Sequence, residues 1–263
     1  MEKIAIISDI HGNITALNTV LEDIKERNIK RIFCLGDLVI KCPNSDLVVD
    51  RIKETCELVI KGNCDDIVVN NCTIPTQFWT REKLGQKRLE YLDSLPTSFE
   101  FYMSGYLIRL FHASPFNLDN IYNPMYKNVG RYRDYEIVDP DLMFENTAFI
   151  GKTPKDKVPD VIGYGHIHTP NLFRHKNKTL FNPGTVGIPM ELSNTDKQDE
   201  TIKFSTLSSY MILEGDYGSV NLNSLSFTLI RLPYDIEKEI DSLYKSDMPD
   251  KDAIINKLKT ATY

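Results

Sequence analysis

Four of the five histidines in this 263-residue chain stand in company that could do chemistry. His11 closes Asp9-Ile10-His11, His112 ends the apolar run Leu107-Ile108-Arg109-Leu110-Phe111, and His166 and His168 lie one residue apart in Tyr164-Gly165-His166-Ile167-His168-Thr169-Pro170. Twenty-five residues separate His11 from Asp37 of Gly36-Asp37, and 25 more separate Asp37 from Asn63 of Gly62-Asn63. Neutral imidazoles and carboxylates are the ligand set of first-row divalent metals such as Mn, Fe, Co, Ni or Zn. Each piece also has an ordinary reading. Asp-x-His is commonly a turn with a hydrogen-bonded histidine, Gly-Asp after a strand a helix N-cap, and Gly-Asn a turn with positive φ. His-x-His is more specific, because residues i and i+2 of an extended segment point to one side. Five such pieces in order, each after an apolar run, make coincidence a poor account, and metal binding is the chemistry they share.

The elements that must position these residues follow from periodicity. Residues 3–8 read as a buried strand, and apolar residues at 14, 17, 20, 21 and 24 give the segment from Asn13 to Arg27 a helical spacing. Strand and helix recur: 31–36, then 45–54, then 57–62, which implies parallel βαβ units with ligands beyond the carboxyl ends of the strands. A helix is expected over 77–93 and a hairpin pair over 98–103 and 106–112, turning at Ser104-Gly105. Further strands are expected near 160–164, 171–175, 178–181, 208–214 and 225–232, with amphipathic helices near 235–245 and 251–259. Two sheets packed together with helices outside, in one domain over 1–263, is the resulting expectation. The irregular stretch 115–159 reads as an insertion or lid, and 191–203 as a solvated loop.

Composition narrows the function classes. A formal net charge of −6 leaves no basic footprint for double-stranded nucleic acid or an anionic membrane. An acidic surface still admits a phosphate-bearing substrate, because bound metal reverses the local field. No run of eighteen apolar residues suggests a membrane span, and the first apolar run is too short for a secretory signal. The five cysteines, at 34, 42, 56, 64 and 72, form no C-x-x-C pair and suit a reducing cytoplasm.

Taken together, Asp9-x-His11, Gly36-Asp37, Gly62-Asn63-Cys64-Asp65, His112 and Gly165-His166-x-His168 resemble the calcineurin-like metallophosphoesterase superfamily, and within it the small bacterial and archaeal phosphodiesterase branch. The stretches "GDLVIKCPNSDLVVDRI", "NPGTVGIP" (182–189) and "LPYDIEKEI" (232–240) add to the likeness, which covers nearly the whole chain except 115–159. The resemblance implies an α/β fold, a four-layer αββα sandwich of two stacked mixed β-sheets with the site at their carboxyl edge. It also implies two divalent metal ions, with Mn favoured and Fe, Ni, Co or Zn as alternatives. Asp9, His11 and His168 would hold one ion, Asn63, His112 and His166 the other, and Asp37 would bridge them. Such a pair, about 3.5–4 Å apart, clamps a phosphoryl group and lowers the pKa of a bridging water for in-line attack. A neutral ligand at Asn63 keeps the site from becoming too negative for phosphate. Asn13, at the start of a helix, is a candidate substrate contact.

The pattern also departs from the family. Where many members carry His after Gly-Asn, this chain has Cys64, a weak hydrogen-bond donor. Cys64 and Asp65 are therefore weighed as substrate contacts, Asp65 alternatively as an orienting partner of a neighbouring ligand or a helix cap. Lys41 reads either as a phosphate contact or as a solvated loop lysine. The tyrosine-rich 122–135, with Arg131 and Arg133, reads as a nucleobase-stacking surface or a packed loop. Three functions stay open: a phosphodiesterase, a nucleotide phosphomonoesterase or pyrophosphohydrolase, and a non-catalytic metal-binding scaffold. A small phosphate ester, nucleotides included, is the expected partner, and a homo-oligomer is compatible with the sequence.

Overall fold

The computed structural model describes residues 1–119, 140–145, 157–192 and 202–261. The chain begins with β1 (Glu2–Ile7), α1 (Ile14–Glu26), β2 (Arg31–Cys34), α2 (Ser45–Thr55), β3 (Leu58–Val59), α3 (Asn63–Asn70) and α4 (Pro75–Asp93). β1 and β2 pair in parallel, Ile4 opposite Arg31 and Ile7 opposite Cys34, and β3 continues beyond β2. Two late strands, β11 (Leu207–Gly215) and β12 (Ser226–Pro233), complete this sheet antiparallel, in the order β12-β11-β1-β2-β3. The second sheet begins with the hairpin β4 (Ser98–Met103) and β5 (Tyr106–Phe111), to which β6 (Val161–Gly163) and β8 (Lys178–Asn182) add in parallel and β7 (Asn171–His175) at the edge. The expected α/β architecture of two stacked mixed sheets flanked by helices is the fold the chain adopts.

The unbroken apolar run of β1 is explained by burial on both faces. Ile4 and Ile6 join Phe33, Leu35, Ile108, Leu110 and Phe181 in the core between the sheets, while Ala5 and Ile7 face Leu17, Val20, Val48 and Val49 of the helices. α1 begins where Asn13 caps it, its Oδ1 accepting the Ala16 N–H at 2.9 Å. A third core joins Cys42 and Ile188 to α5 (Ile236–Lys245) and α6 (Lys251–Lys259) through Ile240, Leu243, Ile255 and Leu258.

Four expectations need adjustment. α3, eight residues beginning on Asn63, is too short and too polar to show a helical period, and only the helix-cap reading of Asp65 points to it. The 77–93 helix bends at Gly85, whose φ of 67° and ψ of 167° no helix contains. The expected loop 191–203 begins and ends in an antiparallel ribbon, β9 (Met190–Leu192) with β10 (Ile202–Phe204), Ile202 opposite Leu192. Of the expected lid, residues 120–139 and 146–156 lie outside those described, including the tyrosine-rich 122–135 with Arg131 and Arg133. The described part, a 3-10 turn at Leu142–Phe144, packs Met143 and Phe144 on the outer face of the second sheet against Phe111, Ile162 and Leu180. The buried Arg109 ties it there through the Glu145 carbonyl at 3.0 Å.

Candidate active site

Because β1, β2 and β3 run parallel, as do β5 and β6, the residues following them emerge along one edge of the sandwich. There the loops bond to one another. Asp9 N–H donates to Gly36 O (3.0 Å), His11 N–H to Asp37 O (2.9 Å), Gly12 N–H to Leu38 O (2.8 Å) and Gly165 N–H to His112 O (2.7 Å). Each strand turns sharply as it ends. Asp9, His11, Asp37, His166 and His168 all hold left-handed backbone, with φ between 52° and 67°. Non-glycine residues rarely adopt that conformation and keep it only where their surroundings over-determine it. Five of the seven candidate ligands sharing it marks this edge as the functional one.

All seven residues come together, in two groups. In the first, Asp9 Oδ1 lies 3.2 Å from His168 Nε2 and 3.7 Å from His11 Nε2, and the two Nε2 atoms are 3.0 Å apart. In the second, Asn63 Oδ1 lies 3.0 Å from His112 Nε2 and 3.1 Å from His166 Nδ1. Asp37 stands between the groups, Oδ2 at 3.6 Å from His11 Nε2 and Oδ1 at 3.4 Å from His112 Nε2.

Three of the imidazoles are aimed in the same way. Nδ1 of His11 donates to Val39 O (3.3 Å), that of His112 to Leu35 O (2.7 Å) and that of His168 to Ile188 O (3.0 Å). A carbonyl can only accept, so each ring carries a proton on Nδ1 and turns its Nε2 toward the site. The two Nε2 atoms facing each other at 3.0 Å, beside the buried Asp9 Oδ1, make a cluster suited to a shared cation. Asp9, His11 and His168 form a group able to hold a metal ion, as do Asp37, His112 and His166. The donor set, hard oxygen with imidazole nitrogen, fits divalent first-row metals.

The electrostatics agree. Burial alone would raise the Asp9 carboxyl, but His168 and then His112 outweigh it and hold Asp9 below the usual range. Asp37 is likewise raised by burial and held low overall by His112 and His11. Burial would lower His112, yet the Asp37 carboxylate beside it lifts it to about 9. Burial lowers His11, His168 and His166, the last to about 4. Ionised carboxylates facing neutral His11, His166 and His168 are protonation states a metal needs, and His112 would have to release its proton to join them.

The three candidate substrate contacts fare differently. Asn13 is fully buried and both ends of its amide are engaged, Oδ1 capping α1 and Nδ2 donating to Gly187 O at 2.9 Å. It therefore shapes the site from behind. Asp65 is also buried, and both of its competing readings hold. It accepts the Gly62 N–H (2.9 Å) at the start of α3, and it reaches across to the N–H groups of Asp37 and Leu38, both at 2.9 Å. One carboxylate thus fixes the loops of Asp37 and Asn63 against each other. Cys64 does border the site, its Sγ lying within 4.8 Å of ligand atoms of both His11 and Asp37, while its N–H donates to Asp37 Oδ1 at 2.8 Å. Lys41 is not the solvated lysine that its loop position suggested: Nζ lies 3.1 Å from His11 Nε2.

Reasoning from residue types missed the residues that hold the ligands. Ser8 Oγ donates to Asp9 Oδ2 at 2.5 Å, Thr185 Oγ1 to Asp9 O at 2.7 Å and Asn182 Nδ2 to Gly165 O at 2.7 Å. The signal was present in "NPGTVGIP". That segment runs behind both groups, and a Cβ on Gly187 would lie 1.8 Å from Ile10 O.

Buried carboxylates and imidazoles set at the carboxyl edge of a two-sheet sandwich form a site able to hold metal ions. The calcineurin-like phosphoesterase superfamily domain matches residues 2–207, and the chain belongs to that family. It is 29% identical over 256 residues to the uncharacterized protein MJ0912 of Methanocaldococcus jannaschii, covering 94% of each chain. Its fold is similar to that of a metallophosphoesterase from Sphaerobacter thermophilus (TM-score 0.68, 22% identity) and of the hypothetical protein PH1004 from Pyrococcus horikoshii OT3 (TM-score 0.69, 18% identity), with 98% of both chains covered in each case.

Proposed function

We propose that this phosphoesterase works with two divalent ions and prefers phosphodiesters. The observation that carries the reading is the facing pair of Nε2 atoms on His11 and His168 beside the buried Asp9 Oδ1. Asp9, His11 and His168 would hold one ion, Asn63, His112 and His166 the other, and Asp37, whose two oxygens face opposite groups, would join them. When bound, the ions supply Lewis-acid polarisation of the phosphoryl oxygens and an activated water; Mn is our first choice, with Fe, Ni, Co and Zn also suited to the donors. The chain's own contribution is geometric. Asp65 fixes the separation of the Asp37 and Asn63 loops, and the Nδ1–carbonyl bonds lock three ring orientations in advance of substrate. Cys64 stands in the sequence where many members of the family carry His, and a thiol is a weak proton donor, which favours esters whose leaving group departs as an anion. Five free cysteines support a reducing, cytoplasmic setting.

The test is a turnover screen of metal-loaded protein against diesters, monoesters and nucleotides. Aryl phosphodiesters turning over faster than matched monoesters supports the reading. Turnover of monoesters alone would replace it with the phosphomonoesterase alternative.

A further inference from the structure

The stretches "GDLVIKCPNSDLVVDRI" and "LPYDIEKEI" meet behind the first ligand group, one supplying the loop that leaves Asp37 and the other the start of α5. The loop takes an unusual path, with Ile40 and Lys41 both left-handed at φ 68° and 74°, an outlier for a β-branched residue. That path brings it against His11. Cys42 N–H donates to His11 O (2.9 Å), Asn44 N–H to Gly12 O (3.2 Å), and Val39 O accepts from His11 Nδ1 (3.3 Å). The approach is close enough that a Cβ on Gly12 would lie 2.3 Å from Cys42 O. From the other side, α5 closes on the same loop. Asn44 Nδ2 donates to Ser242 Oγ at 2.8 Å, Cys42 shares a core with Ile240 and Leu243, and the buried Glu239 carboxyl stands beside Thr15 and Cys42. Ile188, whose carbonyl accepts from His168 Nδ1, belongs to that core too. So α5 stands behind two ligands of the first group, behind His11 through Cys42 and behind His168 through Ile188. The second group is fixed by other means. His112 Nδ1 donates to Leu35 O, His166 N–H to Asp9 Oδ2, and Asn63 opens α3, whose first turn Asp65 holds. Among the described residues, α5 and α6 form no hydrogen bond to Asn63, His112 or His166. Both helices lie beyond residues 2–207, the span that the family's domain matches.

We propose that α5 is the positioning element of one ion site and not of the other: Glu239 and Ser242 hold the 40–44 loop against His11 and thereby set the affinity of the Asp9, His11 and His168 group for its ion. The inference rests on the two-ion reading above and adds to it a source of inequality between the sites. Truncating Glu239 leaves a void between α5 and the loop, and such a void is filled only in part by relaxation. A loop that shifts to fill it carries His11 along through the bonds of Cys42 and Val39. Metal–ligand distances tolerate about 0.2 Å, and the groups that orient ligands are worth roughly 10–100-fold in metal affinity. Gln at position 239 occupies the same space as Glu and keeps the support.

The experiment titrates Mn into wild type and into chains that keep one ligand group each: H166A, which disables the second group, and H168A, which disables the first. E239A, E239Q and S242A are then added singly to each background, free Mn is read from its electron paramagnetic resonance signal, and thermal unfolding is recorded alongside. In the H166A chain, E239A should weaken Mn binding at least about tenfold and S242A about threefold, the loss expected for one neutral hydrogen bond. E239Q should stay within about twofold of its parent, the recovery expected of a side chain that keeps the volume. In the H168A chain, all three should leave binding unchanged. Equal losses in the two backgrounds, as a general loss of stability would give, would overturn the α5 assignment. So would no loss in either, an E239Q as weak as E239A, or an H166A chain that keeps no ion. Each of these leaves the two-ion reading to stand on the wild-type count. A wild type that binds fewer than two ions at saturation would reject the two-ion reading and the α5 proposal with it.

Discussion

At the scale of the residue, five of the seven candidate ligands are held by hydrogen bonds from or to groups around them. The carbonyls of Leu35, Val39 and Ile188 fix three imidazoles, Ser8 and the His166 N–H occupy Asp9 Oδ2, and the Cys64 N–H occupies Asp37 Oδ1. Asp37 differs from the rest because it faces both groups. Replacing it with Asn removes charge from both ion positions at once, whereas any single histidine serves one. Asp37→Asn should therefore keep less than about a tenth of wild-type turnover at saturating metal, a loss of at least about 1.4 kcal/mol of transition-state stabilisation, and should lose more than any one of the four site histidines changed to Ala. Steady-state kinetics at matched metal saturation decide this, and a variant retaining more than that tenth would remove Asp37 from the bridging role.

At the scale of the element, α5 reaches back toward the site with a group the chemistry does not use. Glu239 is fully buried, and neither of its oxygens has a well-formed hydrogen bond. Burial lifts its carboxyl to about 7 against the pull of Thr15 and Cys42, while Lys238 opposes weakly and the buried Tyr234 hydroxyl stands near. Between its ordinary 4.5 and about 7, the folded chain keeps a proton that the unfolded chain has lost. Stability therefore falls by ~3 kcal/mol as pH rises through that window, and the loss is complete above it. Glu239→Gln should flatten that part of the profile and unfold at higher temperature than wild type at pH ~8. Thermal unfolding across pH checks this, and a variant with the wild-type slope would contradict it. None of this was legible in "LPYDIEKEI", where Glu239 reads as one acid among several on a surface helix. What was legible is what periodicity and strand-end position carry: the βαβ start, the hairpin, the late strands and the strand-end positions of the seven residues proposed as ligands. What was not legible depends on contacts distant in sequence. Asn13 faces inward because Gly187 arrives from 174 positions away, and α3 forms because its first turn is held by Asp65 between two loops.

At the scale of the whole molecule, the fold works by bringing distant segments to one edge. The first sheet supplies Asp9, His11, Asp37 and Asn63, the second supplies His112, His166 and His168, and the core of Ile4, Ile6, Phe33, Ile108 and Phe181 between them sets their spacing. Neither sheet alone completes either group, since His168 must meet Asp9 and His112 must meet Asn63. The central claim is that this edge holds two ions, and counting them is the most direct test. Metal analysis of purified protein, saturated with Mn and freed of excess ion, should give two equivalents per chain for wild type. One equivalent or none at saturation would contradict the dinuclear account.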